Sequence, residues 1–215
     1  MMSIVLKKIC VAVMIALLAG TVLCACSGKI PPHEESVKRT LSADGEVAET
    51  LCDMTRMLTV NSPILPEFDN ISEAMESCRD SVLYYMLTKN YGKYTGDIEK
   101  LDRAVAEYPR MQITNLIPAR EFEETVYASF GGTKKITNES GRLFVYLEKV
   151  AAYTSVTMLD EDPIAVKVTE LAETENTYRM RFRCEAGDVT SPEYIGIFMK
   201  RDDGTVYFYS VEEVG

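Results

Sequence analysis

Residues 178–184 read Y-R-M-R-F-R-C, and their alternation is strict. Tyr178, Met180, Phe182 and Cys184 fall on one side of an extended chain, with Arg179, Arg181 and Arg183 on the other. Successive strand side chains point to opposite faces, so this is a strand with one buried face and one wet face. The same period governs its neighbours. Upstream, Ile164, Val166 and Val168 alternate with Ala165, Lys167 and Thr169, and the polar run E-T-E-N at 173–176 separates the two strands. Downstream, a loop with Gly187 and Pro192 leads to a third strand over 194–201. Asp203-Gly204 is a hairpin signal before a fourth strand over 205–211. The C-terminal part therefore reads as an antiparallel meander.

Before residue 130 the period is helical. Val47, Leu51, Met54 and Leu58 form a stripe after Ser42 or Asp44, either of which can cap a helix. Asp69 or Asn70 opens the longest helix, reaching about residue 91, with Ile71, Met75, Cys78, Val82 and Tyr85 on one face. Leu83 and Leu87 add a second apolar row, which predicts a central position. Gly92 lies at the end of that helix, and Asp97 opens a third helix with Ile98, Leu101 and Val105 on one face, stopped by Pro109. Met111, Ile113 and Leu116 suggest a short strand. Pro118 suits the first position of a helix that carries Phe122, Val126 and Phe130 and stops at Gly131-Gly132. Residues 142–153 fit a helix through Leu143, Leu147 and Val150, and a buried strand through 143–147; the helix is the expectation.

This order predicts an α+β fold, with N-terminal helices packed on a curved, mainly antiparallel sheet formed by the C-terminal half. The element order resembles the cone-shaped fold of the ketosteroid isomerases and the nuclear transport factor superfamily. That resemblance implies no site residues, because no motif matches. A cystatin-like sheet wrapped on a helix is the alternative.

The N-terminus carries an address. Lys7 and Lys8 precede a nearly uninterrupted apolar run over 9–23, which ends in Leu23-Cys24-Ala25-Cys26. A charged head, an apolar stretch and small residues at a cleavage site describe an export signal. The run is short for a membrane-spanning helix, which needs about 20 residues. Leu23-Cys24-Ala25-Cys26 resembles the lipobox of bacterial lipoproteins. The resemblance implies removal of residues 1–25, a diacylglycerol on Cys26, and a lipid-anchored position on the extracytoplasmic side of the cell membrane. An uncleaved anchor and simple secretion are the rival readings. Residues 26–41 then form a tether, extended by Pro31-Pro32, and 42–215 form a single globular domain.

The 215-residue chain has 23 Lys and Arg against 33 Asp and Glu, one His, no Trp and six Cys. Loss of the signal removes two Lys and no acid, so a mature chain of 190 residues would carry a net charge of −12. Such a chain lacks the basic footprint that gripping nucleic acid requires, and it would stand off an anionic bilayer. His33, the only imidazole, falls in the tether, which disfavours Ser/His/Asp and Cys/His catalysis. There is no H-E-x-x-H, P-loop, G-x-G-x-x-G or C-x-x-C, so no cofactor or metal is expected. Cys52, Cys78 and Cys184 remain in the body, either as buried thiols or with Cys52 bridged to Cys78. Asp160-Glu161-Asp162 lacks the ligand spacing of a calcium loop, and Asn138-Glu139-Ser140 matches a glycosylation acceptor.

Two features suggest binding. Arg179, Arg181 and Arg183 would project from one sheet face about 7 Å apart, as an anion face or as partners for cross-strand acids. The fourth strand is apolar on both sides, with Val206 and Phe208 on one and Tyr207, Tyr209 and Val211 on the other. It is either covered twice, residues 143–153 being available to do so, or it exposes an aromatic patch for a partner. The expected function is a non-enzymatic binding or accessory module of the cell envelope, facing an envelope protein or a wall polymer. The rivals are an envelope enzyme with a carboxylate/Tyr pocket and a regulator of a cell-wall enzyme.

Overall fold

The computed structural model describes residues 32, 34–59, 62–132, 136–156 and 164–215. The lipobox with Cys26, His33 and the acidic run 160–162 lie outside these. The chain divides into two units, Met1–Glu35 and Ser36–Gly215, and the described elements lie in the second. In chain order the elements of the second unit are β1 (Arg39–Thr40), α1 (Glu46–Arg56), α2 (Ile71–Lys89), α3 (Tyr91–Thr95), α4 (Ile98–Glu107), β2 (Ile117–Pro118), α5 (Ala119–Phe130), β3 (Phe144–Leu147), β4 (Ala152–Ser155), β5 (Ala165–Glu173), β6 (Thr177–Ala186), β7 (Val189–Thr190), β8 (Tyr194–Lys200) and β9 (Val206–Glu213). The fold is α+β, with the helices mainly in the N-terminal half. Among the described residues no helix is long and apolar enough to cross a membrane.

The large sheet runs β1-β5-β6-β8-β9, with β7 paired to β6, and every pairing is antiparallel. Met180, Phe182 and Cys184 of β6 are buried in the main core, as their alternation predicts. That core is completed by α1, α2 and α5. Asn70 caps α2: its side-chain carbonyl accepts from the Ser72 and Glu73 amides, while the Glu73 carboxylate accepts the Asp69 amide. The buried side of α2 runs from Ala74 through Cys78 and Val82 to Leu87, consistent with its central place. Phe198 and Phe208 lie 4.2 Å apart between ring centres, and Phe68 and Phe130 join them. Such ring pairs add roughly 0.5–1.5 kcal/mol beyond area burial. Phe68 also exchanges two backbone hydrogen bonds with Val211, covering part of the β9 edge. Cys52, Cys78 and Cys184 are free, buried thiols.

Several expectations are corrected. Residues 142–153 are not a helix: β3 and β4 form a hairpin that, with β2, makes a second sheet in the order β2-β4-β3. Phe144 and Tyr153 face the main core, and Leu147 faces a second core with Ala104 and Ile113. This hairpin is apolar on both faces, which erases the period-two signal. The element that packs on β9 is α5. Residues 111–116 are irregular; the short strand is Ile117–Pro118, so Pro118 ends a strand and caps α5 instead of opening it. Gly45, not Ser42 or Asp44, is the cap of α1. The inward side of α4 is Leu101, Ala104 and Tyr108, leaving Ile98 and Val105 exposed. Arg39 and Thr40, within the expected tether, pair with β5.

Candidate functional site

The arginine row of β6 is positioned as the alternation requires, but its members differ. Arg181 is held by two acids, Glu193 of the loop before β8 at 3.3 Å and Glu170 of β5 at 3.6 Å. Arg179 is half-buried between Ala172 and Ile197 in register. Arg183 is exposed, and its neighbour in register is another cation, Lys167.

The tyrosines of β9 are displaced from the expected pattern. A bulge takes the register from Phe198 opposite Phe208 to Ile197 opposite Ser210, so Tyr209 is the extra residue. Val211 thereby joins Phe208 in the main core instead of sharing a face with Tyr207 and Tyr209. Tyr207 packs against Gly131, whose φ of +69° ends α5; a Cβ there would lie 2.6 Å from the Tyr207 ring. The Arg201 guanidinium sits 4.7 Å from the same ring and donates to the Tyr127 and Ala128 carbonyls, both at 2.9 Å. Arg201 thus closes the C-terminal end of α5, where a cation is favoured. Tyr207 is half-buried and carries packing contacts at the end of α5.

A different group of residues forms a concave site. A cleft of about 530 Å³ lies between α3, α4, the start of α5 and the β3–β4 turn. Its apolar part comes from Leu101, Leu116, Pro118, Val150, Ala151 and Ala152. Lys93, Lys100, Arg103 and Lys149 line it together with two acids, Asp97 and Glu121. Three of these cations have a carboxylate partner, Lys93 with Glu121, Lys100 with Asp97 and Lys149 with Glu107.

Local structure explains how these side chains meet. Asp97 caps α4 by accepting the Lys100 amide at 3.1 Å, and its other oxygen pairs with Lys100 Nζ at 2.8 Å. Those contacts lower the Asp97 carboxyl below its ordinary value, with the Lys100 side-chain bond the largest cause. Arg103 follows Lys100 by three residues, which places both on neighbouring turns. Among the described residues the exposed side chain of Arg103 makes no ion pair or hydrogen bond. Lys93 Nζ and the Tyr94 hydroxyl both donate to Glu121 Oε2, at 2.7 and 3.0 Å. Burial, followed by the Glu121 contact, pushes the Tyr94 hydroxyl well above its ordinary range.

The fourth cation comes from the hairpin turn. The Lys149 amide donates to the Tyr108 hydroxyl oxygen at 2.8 Å, and Lys149 Nζ pairs with Glu107, outside the lining, at 3.0 Å. Ala151 closes this turn at φ 47° and ψ 50°, a left-handed conformation that L residues with a Cβ seldom adopt. Its carbonyl accepts the Ala119 amide at 2.9 Å, tying the turn to the first residue of α5. Local strain of this kind is often found where a fold shapes a binding site.

Nothing in the strand alternation points to this cleft. The one available signal is the three-residue spacing of Asp97, Lys100 and Arg103. Asn138, whose tripeptide only matches the glycosylation pattern, is engaged within the fold: its side-chain amide donates to Glu123 at 2.7 Å and its carbonyl accepts from the Tyr153 hydroxyl at 2.8 Å. Burial is the main cause that raises this tyrosine to about 12. Among the described residues no cluster of His, Cys, Asp and Glu could hold a metal ion. No protein-family model, no curated protein and no solved structure matches this chain.

Proposed function

We propose that this chain is a lipoprotein of the cell envelope, held at the extracytoplasmic side of the membrane through Cys26, with residues 36–215 serving as a non-enzymatic binding module. The observation that carries the location is Leu23-Cys24-Ala25-Cys26 at the end of an apolar run preceded by Lys7 and Lys8. Two acyl chains give stable attachment where one would be marginal. The acidic body is repelled by anionic headgroups and stays in the aqueous phase.

The cleft supports binding. Apolar floor residues and several converging charges are the usual make-up of a ligand site, and the volume falls within the range such sites occupy. The cleft carboxylate Asp97 is lowered by its Lys100 contacts, whereas a general acid needs a raised value. The envelope-enzyme reading has one observation in its favour, the contact of Tyr94 with Glu121 inside the cleft. That hydroxyl is pushed up, which makes it a poor proton donor near neutral pH.

Cys26→Ser tests the anchor. Cells fed radiolabelled palmitate should label the parent protein and leave the variant unlabelled. Full labelling of the variant would remove the lipoprotein reading.

A further inference from the structure

Among the described residues the cleft has one uncompensated cation above an apolar floor. Arg103 is the lining cation without an ion pair, while Lys93, Lys100 and Lys149 are each fixed by one carboxylate. These lysine side chains are exposed, so each pair is worth little by itself and leaves the ammonium open to water and to a ligand. A lysine has three donor hydrogens, so one carboxylate contact leaves donors for another acceptor. Arg103 adds the forked donor set that suits carboxylate and phosphate oxygens. The lining as a whole has four cations against two acids.

The floor restricts the rest of the ligand. Leu101, Leu116, Pro118, Val150 and Ala152 offer little to hydrogen-bond beyond the backbone. A bare inorganic anion would leave that surface wet. An anion with an apolar body would cover it and gain about 25 cal/mol for each Å² removed from water.

From these observations we infer that the cleft binds a small organic anion, its acidic group held by Arg103 with Lys100 and Lys149, and its apolar body laid on Leu101, Leu116 and Val150. This rests on the binding-module reading and gives that module its ligand class. It also prefers the concave cleft to the β6 arginines, where Arg181 has two acidic partners and Arg183 stands exposed on the sheet beside Lys167.

The test uses the full chain in detergent and 1-naphthyl phosphate as probe, with equilibrium dialysis as the readout. Wild-type protein should bind it saturably, one per chain. Inorganic phosphate and 1-naphthol should each bind at least tenfold more weakly. Arg103→Glu, at an exposed position, should weaken probe binding at least tenfold, while Arg181→Glu should leave it within twofold. Absence of saturable binding, equal binding by Arg103→Glu, or inorganic phosphate matching the naphthyl ester would overturn the inference. Acylation at Cys26 is scored separately on the same preparation, so a failed ligand test leaves the anchor result standing, and a failed anchor test leaves the binding result standing.

Discussion

The outer side of β6 and the cleft beside α4 both collect basic residues, yet they are built differently. On β6 the central Arg181 is neutralised by Glu170 and Glu193 from neighbouring segments. Exposed pairs of this kind contribute roughly 0–1 kcal/mol. In the cleft the lysines are paired too, but they surround a hollow, and Arg103 projects from an exposed helical turn among them. What separates the two is concavity, not the number of cations or how many of them are paired. A row of arginines on a strand is conspicuous in a sequence, yet here its central member is spent on neighbouring acids while Arg183 stands exposed beside Lys167. Four cations brought together by three segments are inconspicuous, and they retain donors for a ligand.

The largest effect is expected beneath the cleft. Leu147 is fully buried in the small core with Ala104 and Ile113, and that core supports α4 and the hairpin turn. Leu147→Ala should cost about 2–5 kcal/mol. In hydrogen exchange, α4 and the β3–β4 hairpin should lose protection while β6 and β8 keep it. Equal loss in both regions would mean that the cleft and the large sheet form one cooperative unit, with no separate stability for either.

A smaller change sharpens the picture of the turn. The left-handed backbone of Ala151 costs about 1–2 kcal/mol, and glycine would remove that cost while giving back about 0.5–1 kcal/mol of chain entropy. Ala151→Gly should therefore stabilise the protein by up to about 1 kcal/mol and raise Tm by a few degrees. A lower Tm would show that the methyl group packs well enough to outweigh its strain.

The smallest effect belongs to the large sheet. The Glu173 carboxyl is bonded by Arg39 and by Lys200 Nζ, the latter at 2.6 Å, and these bonds lower it below its ordinary 4.5, Lys200 contributing most. A lowered acid stabilises the fold above its unfolded value and loses that contribution as pH falls through the folded value. The gain is screened by water and stays within about 1 kcal/mol. Chemical denaturation of Glu173→Gln should show a small deficit at neutral pH that shrinks below pH 4.5. A deficit that persists unchanged into acid would assign the cost to packing instead of charge.

The same contrast explains what could be read from the sequence. β5 and β6 were legible because one side of each strand is apolar and the other polar, β8 because a short apolar run sits between a Pro-bearing loop and Asp203-Gly204, and α2 because its stripe is two rows wide. The hairpin was hidden because Phe144 and Val145 are both directed into apolar surroundings, so L-F-V-Y-L has no period to report. The bulges between Val168 and Glu170 and at Tyr209 depend on pairing across strands, and local composition does not reveal them. In α4 the small Ala104 marks the close approach while Ile98 and Val105 face water, which reverses the reading that hydrophobicity alone gives. Of the candidate site residues, the arginines of β6 were found on the predicted face. The cleft was missed because Lys93, Arg103, Glu121 and Lys149 become neighbours only through tertiary structure.

The most direct measurement of where an anion is held is a backbone amide shift map of the full chain titrated with 1-naphthyl phosphate. Binding in the cleft predicts saturable shifts confined to residues 93–103, 116–121 and 149–152, with residues 179–183 unmoved. Shifts that cluster on residues 179–183 and spare the cleft would contradict it.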